Sequence, residues 1–218
     1  MSRALPSSAS PAAATVVLAR TLRGFADGFV SVLLAQYLLG LGFSAVAVGA
    51  IVTATLLGSA AMTLWFGLTA HRTGLVTLLT GACVLMALTG IGFATFTTVG
   101  PLLVVAALGT LNPTAGDVSV FLPTEQALIA GEVDDAERPR LFAVYNVGGA
   151  IAGALGALAS GLPYAFAHWF DWDLLTVQRF GFFLYAAIAV VVFVLFRRLP
   201  RRHQRLTPET PETPETPE

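Results

Sequence analysis

The stretch VGPLLVVAALGTLNPTAGDVSVFLPTEQALIAG, Val99 to Gly131, decides how the rest of the chain is read. It opens as a membrane span, with no polar side chain from Leu102 to Leu108. Asn112-Pro113 interrupts it, Gly116-Asp117 follows, and a second apolar run from Val118 to Leu122 leads into Pro123-Thr124-Glu125. Proline removes a backbone donor and opens the helical hydrogen-bond ladder. Acidic side chains at membrane depth cost free energy, so they turn to a bundle interior or a water-filled cavity. A broken helix that carries acids is therefore a pointer to a site within the membrane. A plainer reading ends the helix at Asn112-Pro113 and leaves Asp117 in a loop.

Composition sets the solvent. Of 218 residues, 56% are hydrophobic and 11% charged, with a mean hydropathy of +0.76, whereas soluble domains carry roughly 25% charged residues. The chain reads as an integral membrane protein, and its formal net charge of −1 points to no charged partner. Cys83 is the single cysteine, so no intrachain disulfide forms, and its apolar surroundings mark it as inert packing.

Outward from the organising stretch, residues 1–11 read as a flexible lead and 12–205 as a six-helix transmembrane domain. The apolar blocks predict spans over 14–40, 45–68, 75–96, 100–123, 141–163 and 179–197. The first block is too long for the apolar core of a secretory signal and is read as a retained helix. It carries Arg20, Arg23, Asp27 and Gln36. Arg23 and Asp27 lie four apart and share a face. Gly24 and Gly28 let another helix approach closely. The second span offers a stripe of small residues, Gly49, Thr53 and Ala60 with Leu56 between them, and Trp65 as an interfacial anchor. The fifth is glycine-dense, with Gly149–Gly153 and Gly156–Ser160 as small-residue pairs suited to close packing. Pro163 and the aromatics Tyr164, Phe166, Trp169, Phe170 and Trp172 predict a connector at the membrane surface. Residues 206–218, a Thr-Pro-Glu repeat, are too rich in proline and acid to bury a core and read as disordered.

Arginine placement orients the bundle. All 12 basic residues are arginine. With six spans, Arg179 alone falls on the side away from the termini, so both termini are expected in the cytoplasm. The cluster Arg197, Arg198, Arg201, Arg202 and Arg205 is explained by the same rule, which leaves no case for nucleic-acid binding.

Six spans, a short basic loop from Gly67 to Gly74 and a longer charged loop from Ala130 to Arg140 together resemble the N-terminal half of a major facilitator superfamily transporter. The family's loop signature is close to G-x-x-x-D-R-x-G-R-R. Gly67, Arg72 and Gly74 match its spacing, while His71 stands in place of the Asp and Leu75-Val76 in place of the basic pair. Gly161-Leu162-Pro163 loosely echoes the family's late Gly-Pro, and the arginine frequent on its fourth helix is absent. The resemblance covers about Ala12 to Arg205, through topology more than motif. It implies an all-α membrane fold, a half bundle of two inverted three-helix repeats. It also implies transport of a small solute by alternating access, coupled to a proton or ion gradient as symport or antiport. A chain of this extent would be half of such a transporter and would need a second six-helix half or a second copy as partner.

The residues expected along the polar pathway are Arg23, Asp27, Gln36, Asp117 and Asn146. Asp27 is read either as the protonatable group or as a structural partner of Arg20 or Arg23. Arg23 and Asp117 are expected to pair between spans one and four. The loop and gating set is Gly67, His71, Arg72, Gly74, Glu125 and Arg140, with a partly exposed Glu125 pairing with Arg72 or Arg140. No nucleophile–base set, glycine-rich phosphate loop with lysine, or His/Cys pair at metal spacing is present, so neither enzyme activity nor a cofactor or metal is expected. The expected setting is a multi-pass protein in the lipid bilayer of a bacterial cytoplasmic (inner) membrane. The alternative is an assembly or regulatory subunit that moves nothing, or a truncated fragment of a full transporter.

Overall fold

A computed structural model of the chain describes residues 6, 8–69, 73–111 and 120–199. Among these the regular structure is helical: α1 Pro11–Gly40, α2 Ala45–Thr69, α3 Leu75–Thr95, α4 Val99–Leu108, α5 Phe121–Ala130, a single 3-10 turn Asp135–Glu137, α6 Arg138–Ala159, α7 Leu162–Phe170 and α8 Leu174–Arg197. Four stretches are long and apolar enough to cross a membrane: α2, α3, the run Asp135–Phe170 that holds α6 and α7, and α8. Helix α4 is a shorter apolar helix. Helix α1 has 30 residues, about 45 Å at 1.5 Å per residue, and carries its charges, Arg20, Arg23 and Asp27, well inside its ends.

The described residues therefore divide differently from the expected six spans, and local chemistry accounts for the differences. The aromatic connector is a helix, α7. Pro163 sits in its first turn, where a missing N–H costs little, and Asp171 closes it in the left-handed region at φ 53°. Helix α8 starts at Leu174 rather than 179 because Asp173 caps it, its carboxylate accepting from Thr176 N and Thr176 Oγ1, both at 2.9 Å. Those hydrogen bonds hold the Asp173 carboxyl below the usual carboxylate range. The fourth span lies in two pieces. Its first helix ends at Gly109, in extended conformation, three residues before Asn112, and Pro123 lies in the first turn of α5, where it breaks nothing. A side chain at Gly109 would lie 2.6 Å from Thr89 Oγ1, so the turn needs glycine to sit against α3. Two residues on, the carbonyl of Leu111 accepts from Ser59 Oγ of α2 at 3.4 Å, which helps satisfy backbone released from the helix. Asn112-Pro113, Gly116 and Asp117 lie outside the described residues.

Helix α1 is the hub. It packs chiefly against α6 and α8, and touches α5 and α2. Helix α3 packs on α8 and also meets α4 and α5, while α2 packs on α4. The closest approaches run through glycine. A Cβ on Gly24 or Gly28 would collide with the backbone of Gly149 or Gly153, and one on Gly156 with Phe25. Across the other pair, Gly58 of α2 meets the backbone of Ala107 in α4. The buried residues of α2 are Ile51, Thr55, Gly58 and Ser59, not the expected stripe of Gly49, Thr53 and Ala60, which is exposed. In the seam of α1, α3 and α8, Phe182 stacks on Phe93 with ring centroids 5.6 Å apart and meets Tyr37 at a tilt, 5.0 Å away. Large apolar side chains face outward along the bundle, among them Leu57, Leu64, Trp65, Leu155 and Phe180, as a lipid-facing surface requires. At the start of α1, Ser10 accepts from Ala13 N as N-cap and donates to the Glu132 carboxylate, while Ser8 Oγ donates to Glu137 Oε2 at 2.5 Å, tying this end to the α5–α6 loop.

Candidate functional site

Two polar features meet where α1, α5 and α6 come together. The first is a buried cluster. Arg23 and Glu125, both essentially without exposed surface, form an ion pair in which Arg23 Nη2 donates to Glu125 Oε2 at 2.7 Å. Tyr145 of α6 donates its hydroxyl to the same oxygen at 2.5 Å. The Arg23 guanidinium stacks over the Phe121 ring, 3.8 Å from its centroid. A cation, an anion and a phenol, each from a different helix, thus meet on one carboxylate oxygen, while Arg23 Nε and Glu125 Oε1 are buried without a hydrogen-bond partner among the described residues. Within an apolar bundle the pairing offsets part of the desolvation cost.

The second feature is a cavity of about 490 Å³ beside this cluster, lined by Arg20, Asp27, Gln126 and Asn146 among small residues such as Gly24 and Ala154. Asp27 is half-buried and accepts a long hydrogen bond, 3.4 Å, from Tyr185 of α8. Arg20 stands over the Tyr145 ring at 5.5 Å, so Tyr145 touches both the cavity wall and the buried pair. The helix periodicity explains the division of labour along α1. Arg20, Gly24 and Asp27 follow one face at spacings of four and three and reach the cavity, while Arg23 turns into the core.

Of the residues singled out in the sequence, Asp27 and Asn146 come together at the cavity. Gln36 is exposed near the far end of α1 and is not brought there. The setting expected for Glu125 is corrected: it is fully buried and paired with Arg23, while Arg140 is exposed and carries no part of that pair. Likewise the partner found for Arg23 is Glu125, and Asp117 lies outside the described residues. Gly67 is exposed at the end of α2, Gly74 precedes α3, and His71 and Arg72 lie outside the described residues. Gln126, Tyr145 and Phe121 were not anticipated. A polar residue directly after Glu125 and a tyrosine directly before Asn146 were the available signals. Among the described residues, no group of three or more His, Cys, Asp and Glu side chains gathers to hold a metal ion.

Long apolar helices packed around a buried ion pair and a polar cavity define the class of multi-helix membrane proteins. Residues 16–217 match the model of the Major Facilitator Superfamily, and the chain belongs to that family of membrane transporters. Over 80 residues it is 34% identical to the uncharacterized membrane protein YJR124C of Saccharomyces cerevisiae, a match covering 37% of this chain and 18% of that protein.

Proposed function

We propose that the chain forms a six-span half of a major facilitator transporter that moves a small solute by alternating access, coupled to a proton or ion gradient, with both termini cytoplasmic in a bacterial inner membrane. In this reading α1, α2, α3, α4 with α5, α6 and α8 are the six spans, and α7 lies at the outer surface. The packing scheme supports two inverted repeats. Exchanging spans one and four, two and five, and three and six turns the α1–α6 contact into α4–α2, the α1–α8 contact into α4–α3, and leaves α3–α8 unchanged. The observation that carries the transport reading is the cavity at α1, α5 and α6, because a carboxylate, a guanidinium and two amides line an opening within otherwise apolar helices. Such an opening is costly against lipid, so a second six-helix half or a second copy covers it.

Asp27 is the group assigned to coupling. It faces the cavity, and neither the Arg23–Glu125 nor the Arg138–Asp135 ion pair uses it. The test is solute movement in vesicles under an imposed proton gradient, with the chain alone and with a second six-helix half. Asp27→Asn should abolish accumulation against the gradient. Unchanged accumulation would reject the coupling role, and no movement under any arrangement would leave the non-transporting reading.

A further inference from the structure

Behind the cavity, hydroxyl groups lead from Asp27 to the break in the fourth span. Asp27 Oδ1 accepts from the Tyr185 hydroxyl of α8 at 3.4 Å. Tyr185 is 1% exposed, so this hydroxyl is out of reach of bulk solvent. Its other neighbour is Thr110, two residues past the end of α4. Helical threonines of this bundle, such as Thr21, Thr89 and Thr124, donate to the carbonyl four residues back. Thr110 does not. The helix has already ended at an extended Gly109, and Thr110 Oγ1 is buried without a hydrogen-bond partner among the described residues. Packing fixes its height in the bundle. Gly109 lies against Thr89, and a Cβ on the next residue of α3, Gly90, would collide with the backbone of Phe182 and Ala186, in the turn of α8 that holds Tyr185.

We infer that Tyr185 is a positioning residue that carries the charge state of Asp27 to the end of α4, through a chain of hydroxyls that reverses direction when Asp27 takes a proton. The inference rests on reading Asp27 as the coupling group. An ionised carboxylate only accepts, so the Tyr185 O–H points at Asp27 and the Tyr185 oxygen accepts from Thr110. A protonated carboxyl donates to the Tyr185 oxygen, and the Tyr185 O–H turns to Thr110 Oγ1. The reversal needs rotation of hydroxyls and no displacement of a helix. The first arrangement is charge-assisted and the second is not, so the chain is held more firmly while Asp27 is ionised. Thr110 is thus a donor in one state and an acceptor in the other, at the turn where α4 stops. The other charged groups facing Asp27 are Arg20 and Arg23 on α1 and Glu125 on α5. Arg23 and Glu125 hold each other, Tyr145 of α6 donates to Glu125, and the polar residue that α6 brings to the cavity, Asn146, does not titrate.

The experiment uses the full chain in lipid nanodiscs with its threonine methyl groups labelled for NMR, the Thr110 signal being assigned by its loss in Thr110→Ser. The protonation of Asp27 is followed separately by the infrared carboxyl band that disappears in Asp27→Asn. On titration with pH, the Thr110 methyl signal should shift with the same midpoint as the Asp27 band. Asp27→Asn should abolish that shift. Tyr185→Phe should flatten the Thr110 response while the Asp27 band still titrates, an outcome that loss of packing alone does not produce. A wild-type Thr110 signal that ignores Asp27 overturns the inference, as does one that still follows Asp27 in Tyr185→Phe. Where Tyr185→Phe does not fold, the two wild-type midpoints decide. Loss of accumulation in Asp27→Asn beside an unresponsive Thr110 rejects this inference alone. Unchanged accumulation in Asp27→Asn beside a responsive Thr110 rejects the coupling reading and leaves the hydroxyl chain standing.

Discussion

Glu125 has no exposed surface, so its charge is balanced inside the bundle, by Arg23 from α1 and by the Tyr145 hydroxyl from α6. Removing one partner strands the other. Arg23→Ala or Glu125→Ala should each cost about 3–5 kcal/mol, measured by denaturation in detergent, whereas Arg23→Met with Glu125→Leu should recover much of that loss. A double variant no more stable than the sum of the singles rejects the pair as a unit. Tyr145→Phe removes one charge-assisted hydrogen bond and should cost about 1.5–3 kcal/mol. At Asp173 the effect follows pH. Its carboxyl titrates below the usual range in the folded chain, so the cap on α8 is intact above about pH 4 and is lost as pH falls through the lower folded value. A fall in the protection factor of the Thr176 amide on acidification, absent in Asp173→Asn, checks this. The polar residues were legible as exceptions in an apolar chain, but their pairing was not. Arg23 and Glu125 stand 102 residues apart, and no local spacing joins them.

At the scale of elements, the α1–α6 seam is a contact of backbone with backbone. Gly28→Leu or Gly156→Leu forces the helices apart and should destabilise by about 1–3 kcal/mol or more, with the cavity reshaped in consequence. Gly49→Leu on α2, where a side chain meets open space, is the control and should be near neutral. Thermal unfolding of the three variants separates the two cases. The small-residue pairs Gly24/Gly28 and Gly149/Gly153 were readable because close helix packing demands small residues at a four-residue step. The buried stripe of α2 was misread for a related reason. Lipid and core are both apolar, so hydrophobic periodicity carries almost no signal in a helix such as α2, and its inward face is revealed by the close contact of Gly58 with Ala107 and the hydrogen bond from Ser59 to Leu111. Helix α7 was missed because its aromatic residues satisfy the interfacial rule equally well as loop or helix.

For the whole molecule, membrane class and helical fold follow from composition alone, because a chain with 11% charged residues has no other solvent in which to fold. The proposed orientation rests on the distribution of arginine along the sequence. Reporter fusions at Gly42, Trp169 and Glu209 should read external, external and cytoplasmic, and a cytoplasmic reading at Trp169 rejects the six-span topology. The cavity itself was not legible, since it exists only where α5 and α6 close upon α1. That separation reaches back into synthesis. Helix α1 emerges before α5, carrying Arg23, and its counter-charge at Glu125 is translated 102 residues later, roughly 5–20 s at ordinary elongation rates. During that interval α1 is an unfinished insertion substrate, too charged to be released into lipid by itself. It is therefore expected to stay beside the insertion machinery until α5 and α6 arrive. Photocrosslinking from Leu22 in stalled nascent chains should capture that machinery in chains ending before Glu125 and lose it in chains long enough to have delivered α6.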